Sequence, residues 1–391
     1  MGSYCSSIPE CIEVKKLVII SHTDHQRLPD GTIGGWGPTI TEINYLAPYW
    51  DEVVHVACLD DSPARGSSLP YVGDNIKLAA IPPFGGKKLK DKLSVITTAP
   101  KVIREVLRAI RGATHVQLRL PMGIGMYLLP LFALRRRGRY IFWVKYANNW
   151  MQKKAPAGYA IQRWMLNRNL AGCRTTINGF WKDQPRHCIS FENPSLRDQD
   201  LTAGAAACAA KSFTAPFHFA FIGRLEDEKG VKRILDTIRT IDPALIGQIH
   251  FIGDGKKTDS YRAQCIDLGD KVRFHGYQNG GFIRRILAES HFFLLPTTAS
   301  EGFPKVIAEA CCYGCIPIVS DTSSITHYVK DGVNGFVWQI EKDIPFEAVL
   351  RSALHTPVAV LEKIAKNGAE LAEKFTLERY YQRLNSEIFK P

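Results

Sequence analysis

Ser300-Glu301-Gly302-Phe303-Pro304-Lys305-Val306-Ile307-Ala308-Glu309-Ala310 is the stretch on which the reading of the fold turns. The apolar run Phe292-Phe293-Leu294-Leu295-Pro296 before it reads as a buried parallel strand, and Pro304 suits the first position of a helix. Backbone N–H groups at such a start have no intrahelical partner and carry the positive end of the helix dipole, so Gly302 to Lys305 are placed to receive a phosphate. Glu301 precedes the helix and Glu309 lies inside it, which at ~1.5 Å of rise per residue sets the carboxylates on the order of 10 Å apart. A phosphate repels both acids. Each is better used accepting hydrogen bonds from a pair of hydroxyls, one pair on a ribose and one on a second sugar, and a nucleotide-sugar has that layout.

Working outward, a strand over 217–222 leads to Gly223-Arg224-Leu225-Glu226-Asp227-Glu228-Lys229-Gly230 and a helix from Val231 to Ile238. Phe251-Ile252-Gly253-Asp254-Gly255, Phe274-His275-Gly276 and the segment from Pro317-Ile318-Val319-Ser320-Asp321 to Asp331-Gly332-Val333-Asn334-Gly335-Phe336 follow. With Glu301 and Glu309 these segments resemble, in order, the family 4 retaining glycosyltransferases of GT-B fold, closely over the C-terminal half and weakly over the N-terminal half. The resemblance implies an α/β chain with two Rossmann-like, doubly wound domains facing a cleft and a last helix that crosses back to the first domain. It puts Arg224 and Lys229 on the donor diphosphate, where two fixed cations replace a divalent metal in neutralising the leaving group. Glu301 orients the sugar, Glu309 holds the ribose, and Gly253 and Gly276 lie on the base side. Gly302, Phe303, Pro304 and Lys305 complete the donor turn. No carboxylate stands out as a covalent nucleophile, so the resemblance implies front-face attack assisted by the leaving phosphate.

With 391 residues, 45% of them hydrophobic, the chain can bury two cores of ordinary domain size. Its net charge of +12 is unevenly placed. Between Lys87 and Arg174 stand 19 basic residues and two acidic ones, Asp91 and Glu105. Such a field suits an anionic membrane surface or an acidic ligand, and nothing in the pattern points to nucleic acid. No apolar run approaches the ~18 residues of a transmembrane helix. The beginning of the chain lacks the basic-then-apolar design of a secretory signal, which makes a cytoplasmic protein, peripheral on the inner face of the cell membrane, the expectation. Met1-Gly2-Ser3-Tyr4-Cys5-Ser6 formally fits an N-myristoylation pattern and is discounted. Ten cysteines in such a chain read as reduced thiols, and Cys312-Tyr313-Gly314-Cys315 lacks a second pair at zinc-ligand spacing, so no metal site is expected.

In the N-terminal half, Lys15 to His22 reads as a first strand and Gly31 to Thr39 as a glycine-rich loop before a helix from Ile40 to Leu46. The glycines do not fit G-x-G-x-x-G, which argues against a nicotinamide or flavin. In the family this loop borders donor and acceptor, making Gly34 and Gly35 candidates for close backbone approach; a surface turn explains them equally. Thr114 to Pro121 is a strand ending at the cleft, with Arg119 where many family members carry a His. Asn148 and Asn149 follow another strand and suit sugar hydroxyls or a turn. The helix from Lys101 to Arg111 gathers Val102, Val106 and Ile110 on one face and Arg104, Arg108 and Arg111 on another.

Residues 1–197 are therefore expected to form an acceptor-side domain, joined by the terminal helix 375–391, and residues 198–374 a nucleotide-sugar domain. Leu201 to Lys211 is the expected hinge, and Asp198-Gln199-Asp200 a chance D-x-D in it. The expected activity is hexosyl-type transfer, retaining and metal-independent, from a nucleoside-diphosphate-sugar to a hydroxyl of a lipid-linked or polysaccharide acceptor. The rivals are a GT-B epimerase and a non-catalytic sugar-binding protein. Base, sugar, acceptor and linkage are not legible.

Overall fold

A computed structural model describes residues 14–86, 88–135 and 140–390, and the Met1–Ser6 pattern lies outside them. The chain divides into two compact units, Met1–Trp143 and Val144–Pro391.

The first unit holds strands β1 (Lys16–Arg27), β2 (Ile33–Trp36), β3 (Glu52–Leu59), β4 (Ser68–Pro70), β5 (Ile76–Ile81), β6 (His115–Leu120) and the start of β7 (Ile141–Tyr146). Its helices are α1 (Gly37–Leu46), α2 (Leu89–Thr97), α3 (Ala99–Ala109) and α4 (Gly125–Leu134). Strand β1 is its axis. Leu17, Val18, Ile19 and Ile20 form the unbroken apolar run of a strand covered on both faces, and all four are buried. Leu17 to Ile20 pair in parallel with β3 and with β6, and β3 pairs in parallel with β5. Farther along, His25 to Arg27 turn to β2 in antiparallel register, which β4 extends. Gly34 and Gly35 therefore belong to a strand, Gly35 opposite His25, where the sequence suggested an open loop; ladder pairing with the far end of a strand longer than Lys15 to His22 accounts for the difference. Val102, Val106 and Ala109 seat α3 on the sheet, and Arg104, Arg108 and Arg111 stay exposed.

The second unit begins within β7 and adds α5 (Ala157–Asn167), β8 (Arg174–Ile177), β9 (Cys188–Ser190) and α6 (Asp198–Ala210). Strands β10 (Phe217–Ile222), β11 (Ile246–Ile252), β12 (Val272–Phe274), β13 (Phe292–Leu295), β14 (Ile316–Ser320) and β15 (Phe336–Trp338) follow, separated in turn by α7 (Val231–Ile238), α8 (Thr258–Gln264), α9 (Gly280–Glu289), α10 (Lys305–Cys312) and α11 (Ile325–Tyr328). These six strands are parallel in the order β12–β11–β10–β13–β14–β15. That is a doubly wound sheet, and its winding reverses between β10 and β13.

Helices α12 (Phe346–Leu354), α13 (Val358–Ala372) and α14 (Leu377–Arg383) complete the unit. The last helix packs on residues 190–196 of the same compact unit. Leu377 N donates to Leu196 O at 2.8 Å, and Arg383 reaches Glu192 at 2.6 Å and Ser190 O at 2.8 Å while stacking on the Phe191 ring. The stretch read as a hinge is helix α6: its alanines have the strongest helix propensity, and the Asp200 carboxylate accepts from Arg197 N at 2.9 Å at the helix start. Asp198-Gln199-Asp200 thus begins a helix. The 197/198 position lies inside the second compact unit.

Candidate functional site

The loops after β10 and β13 leave the sheet where its winding reverses, the place where doubly wound sheets open a crevice at their carboxyl ends. After β10, buried Leu225 pins the loop, and residues 227–229 make a single 3-10 turn closed by Gly230. Thr298 N and Thr297 Oγ1 donate to Glu228 O at 2.8 and 3.0 Å, tying the two loops together. Lys229 Nζ then forms an ion pair with the Glu301 carboxylate. The Lys229 side chain is 12% exposed and that of Glu301 35%, so the ammonium is largely taken from water while the acid stays partly exposed. Arg224 stands exposed on the same loop, 3.3 Å from Glu226.

Three loops on the other side of β10 are stitched by backbone bonds. Gly223 N donates to Ile252 O, Leu225 N to Asp254 O and Gly253 N to Gly276 O, at 2.8–3.0 Å. Gly253 sits at φ +129, and a Cβ there would lie 2.0 Å from Gly223 O, so no side chain fits.

The turn after β13 is held from three directions. Ser323 Oγ accepts from Glu301 N at 3.0 Å, Asn149 Nδ2 donates to Ser300 Oγ at 3.0 Å, and Gly302 packs on Asn178. A Cβ on Gly302 would come within 2.3 Å of Asn178 Nδ2, a buried donor that has no hydrogen-bond partner among the described residues. The helix starts one residue later than expected: Pro304 caps α10, whose first residue is Lys305. Phe303 contributes backbone to the turn, because its ring is buried against Phe375 and Tyr328 with centroids 4.7 and 4.8 Å away. Glu309, one turn into α10, is half-buried; burial pushes its carboxyl above the ordinary value and the Lys305 charge opposes that rise.

Arg224, Lys229, Gly253, Gly276 and the Glu301–Glu309 segment are thus brought to the carboxyl ends of one sheet. Asn149 is committed to the protein at both ends of its amide, since its Oδ1 also accepts from Met151 N, and Asn148 Oδ1 accepts from Asn149 N. In the first unit Arg119 is 8% exposed, donating to Glu42 at 2.9 Å and Gln117 at 2.8 Å. Gly34 and Gly35 lie in β2 of that unit. Sequence reasoning passed over Ser323 and Asn178, whose only local mark is a polar residue within three positions of the end of a strand. Among the described residues no group of three or more His, Cys, Asp or Glu is arranged to hold a metal ion.

Two parallel-rich sheets, the second wound about β10 and β13, define an α/β protein of GT-B fold. Over residues 210–371 the chain matches the family Glycosyl transferases group 1, which confirms the resemblance read from the sequence and covers Arg224, Lys229 and both glutamates. Lipopolysaccharide 1,6-galactosyltransferase of Salmonella typhimurium is 30% identical over 186 residues, 44% of this chain and 49% of that protein. The chain therefore spans about half the length of the curated relatives it matches, or less. Among solved structures, sucrose-phosphate synthase from Thermosynechococcus elongatus superposes with a TM-score of 0.67 at 16% identity, covering 95% of this chain and 98% of that one. Anabaena Alr3699/HepE in complex with UDP gives 0.64 at 15% identity with the same coverage. At these identities the structures speak for the fold.

Proposed function

We propose that the protein is a glycosyltransferase that moves a sugar from a nucleoside-diphosphate donor to a hydroxyl of a lipid-linked or polysaccharide acceptor, with retention of configuration and without a metal. The observation that carries this reading is the Lys229–Glu301 pair at the reversal point of the sheet, with exposed Arg224 beside it and a helix start behind it. The name of a relative supports the reaction class, since the Salmonella protein is a galactosyltransferase. In this reading Arg224, Lys229 and the N–H groups of the Gly302–Lys305 turn bind the diphosphate and stabilise charge on it as it departs. Glu301, already held by Ser323 through its backbone, accepts from sugar hydroxyls, and Glu309 accepts from the ribose. The anomeric carbon–oxygen bond to the phosphate breaks while the acceptor oxygen bonds to the same face. The acceptor proton passes to the departing phosphate oxygen.

The test is to supply UDP-, GDP- and ADP-sugars with a glycan acceptor in excess EDTA. A transferase releases nucleoside diphosphate only with acceptor present, and NMR of the product reports the anomeric configuration. An isomeric nucleotide-sugar identifies an epimerase instead, and no turnover of any donor leaves a binding protein. Loss of activity in EDTA with recovery on adding magnesium or manganese ends the metal-free part of the proposal.

The reading includes peripheral attachment to an anionic membrane at the cytoplasmic face through Arg104, Arg108 and Arg111 on α3. No helix of the described residues is long and apolar enough to cross a bilayer.

A further inference from the structure

We propose that the outer face of α5, with Met151 and the Lys153–Lys154 pair beside it, is a docking surface for the anionic leaflet of a lipid bilayer. The inference extends the attachment named above to a different helix and a different force, apolar insertion, and does not depend on which sugar is moved.

Helix α5 carries apolar side chains on its outer face as well as its inner one. Gln162, Met165 and Leu166 face inward, while Ala157, Ala160, Ile161, Trp164 and Arg168, at helical spacing, face out. Ile161 is 44% exposed and Trp164 51%. Arg163 donates to Trp150 O at 2.7 Å and Gln152 O at 3.0 Å, so the 150–154 loop is tied to the same helix and brings Met151, 56% exposed, with Lys153 and Lys154. At the far end the Arg168 guanidinium lies over the Trp164 ring at 5.1 Å. The strip is therefore apolar along its middle and cationic at both ends.

Charge decides what covers it. No Asp or Glu occurs between Glu105 and Asp183, so nothing on α5 or its flanking loops opposes a negatively charged surface. Tryptophan beside a guanidinium suits the headgroup level, where the ring is sheltered and the cation meets phosphate. A helix of 11 residues is ~16 Å long, a small strip beside the roughly 800 Å² per partner of a stable dimer, which argues against a second copy as the occupant.

The test uses the full chain and vesicles of phosphatidylcholine with and without phosphatidylglycerol, with no nucleotide or sugar present. The wild type should sediment with the anionic vesicles and stay partly bound at high salt, where attachment by charge alone is screened away. Ile161→Ser/Trp164→Ser should lower the partition coefficient on the order of tenfold or more while leaving the melting temperature and transfer to a soluble acceptor unchanged. Trp164→Phe should keep binding but lose most of the quenching of tryptophan emission by brominated lipid. Lys153→Glu/Lys154→Glu should abolish the preference for anionic vesicles. Wild-type binding by the double serine variant, or unchanged quenching in Trp164→Phe, overturns the proposal. Absence of vesicle binding by the wild type overturns it too, as does a self-associating protein whose association the serine variant removes. If Arg104→Glu/Arg108→Glu/Arg111→Glu alone abolishes binding, α3 is the membrane face and the α5 inference fails; sugar transfer, assayed separately, is untouched by either result.

Discussion

Replacing Lys229 by Met removes one charge from the proposed phosphate site and keeps the length of the side chain. The wild-type ammonium is already largely desolvated and paired with Glu301, so its attraction for a second anion is screened less than that of a surface lysine. Losing one charge-assisted hydrogen bond costs about 1.5–3 kcal/mol, which raises the donor dissociation constant ~10- to ~150-fold. The abandoned Glu301 carboxylate adds repulsion, blunted because that side chain is about one-third exposed. Folding stability should change far less, by roughly 1 kcal/mol or below, since the pair is not fully buried. The assay is calorimetric titration with whichever of UDP, GDP and ADP binds the wild type, followed by the same titration on Lys229→Met/Glu301→Gln. The double variant should regain part of the lost affinity for the sugar-free diphosphate, because the repelling carboxylate is gone. Wild-type affinity in a folded Lys229→Met protein would refute the placing of Lys229 on the phosphate, and the mechanism with it.

Three further outcomes are expected. Glu309→Gln should raise the melting temperature at pH 7–8 and weaken donor binding: burial lifts the native carboxyl above its unfolded value near 4.5, so its charging costs stability as pH rises through that window, and the gain should vanish below about pH 4; an unchanged melting temperature at pH 8 counts against it. Gly253→Ala should cost at least ~2 kcal/mol, seen as a lower denaturant midpoint, because the positive φ is strained for alanine and its Cβ meets Gly223 O; an unchanged midpoint would show that the loops give way. Arg383→Ala should cost about 3–5 kcal/mol, because buried Glu192 loses its partner; Arg383→Ala/Glu192→Gln should recover much of this, and a failure to recover assigns the loss to packing on Phe191.

Legibility followed the range of the interactions. The Ser300–Ala310 turn and the Gly223–Gly230 loop were readable because a strand, a turn of Gly and Pro and a helix start are local events, encoded in neighbouring residues. Leu201 to Lys211 has the small-residue composition of a linker, but the helix propensity of its alanines prevails and the stretch belongs to α6. Gly34 and Gly35 were misplaced for a different reason, since β2 exists only by pairing with the far end of β1.

By itself the sequence determined two α/β cores, the order of the glycine-bearing loops of the second sheet and which residue types stand on them, because backbone geometry and apolar runs are set within a few residues. Only the tertiary structure decided that Lys229 meets Glu301 across 72 positions, that Asn149 and Ser323 brace the turn, and that Arg119 is occupied by Glu42. Those partners are chosen by which strands lie side by side, and parallel sheet order is decided by long-range packing that no short stretch of chain contains.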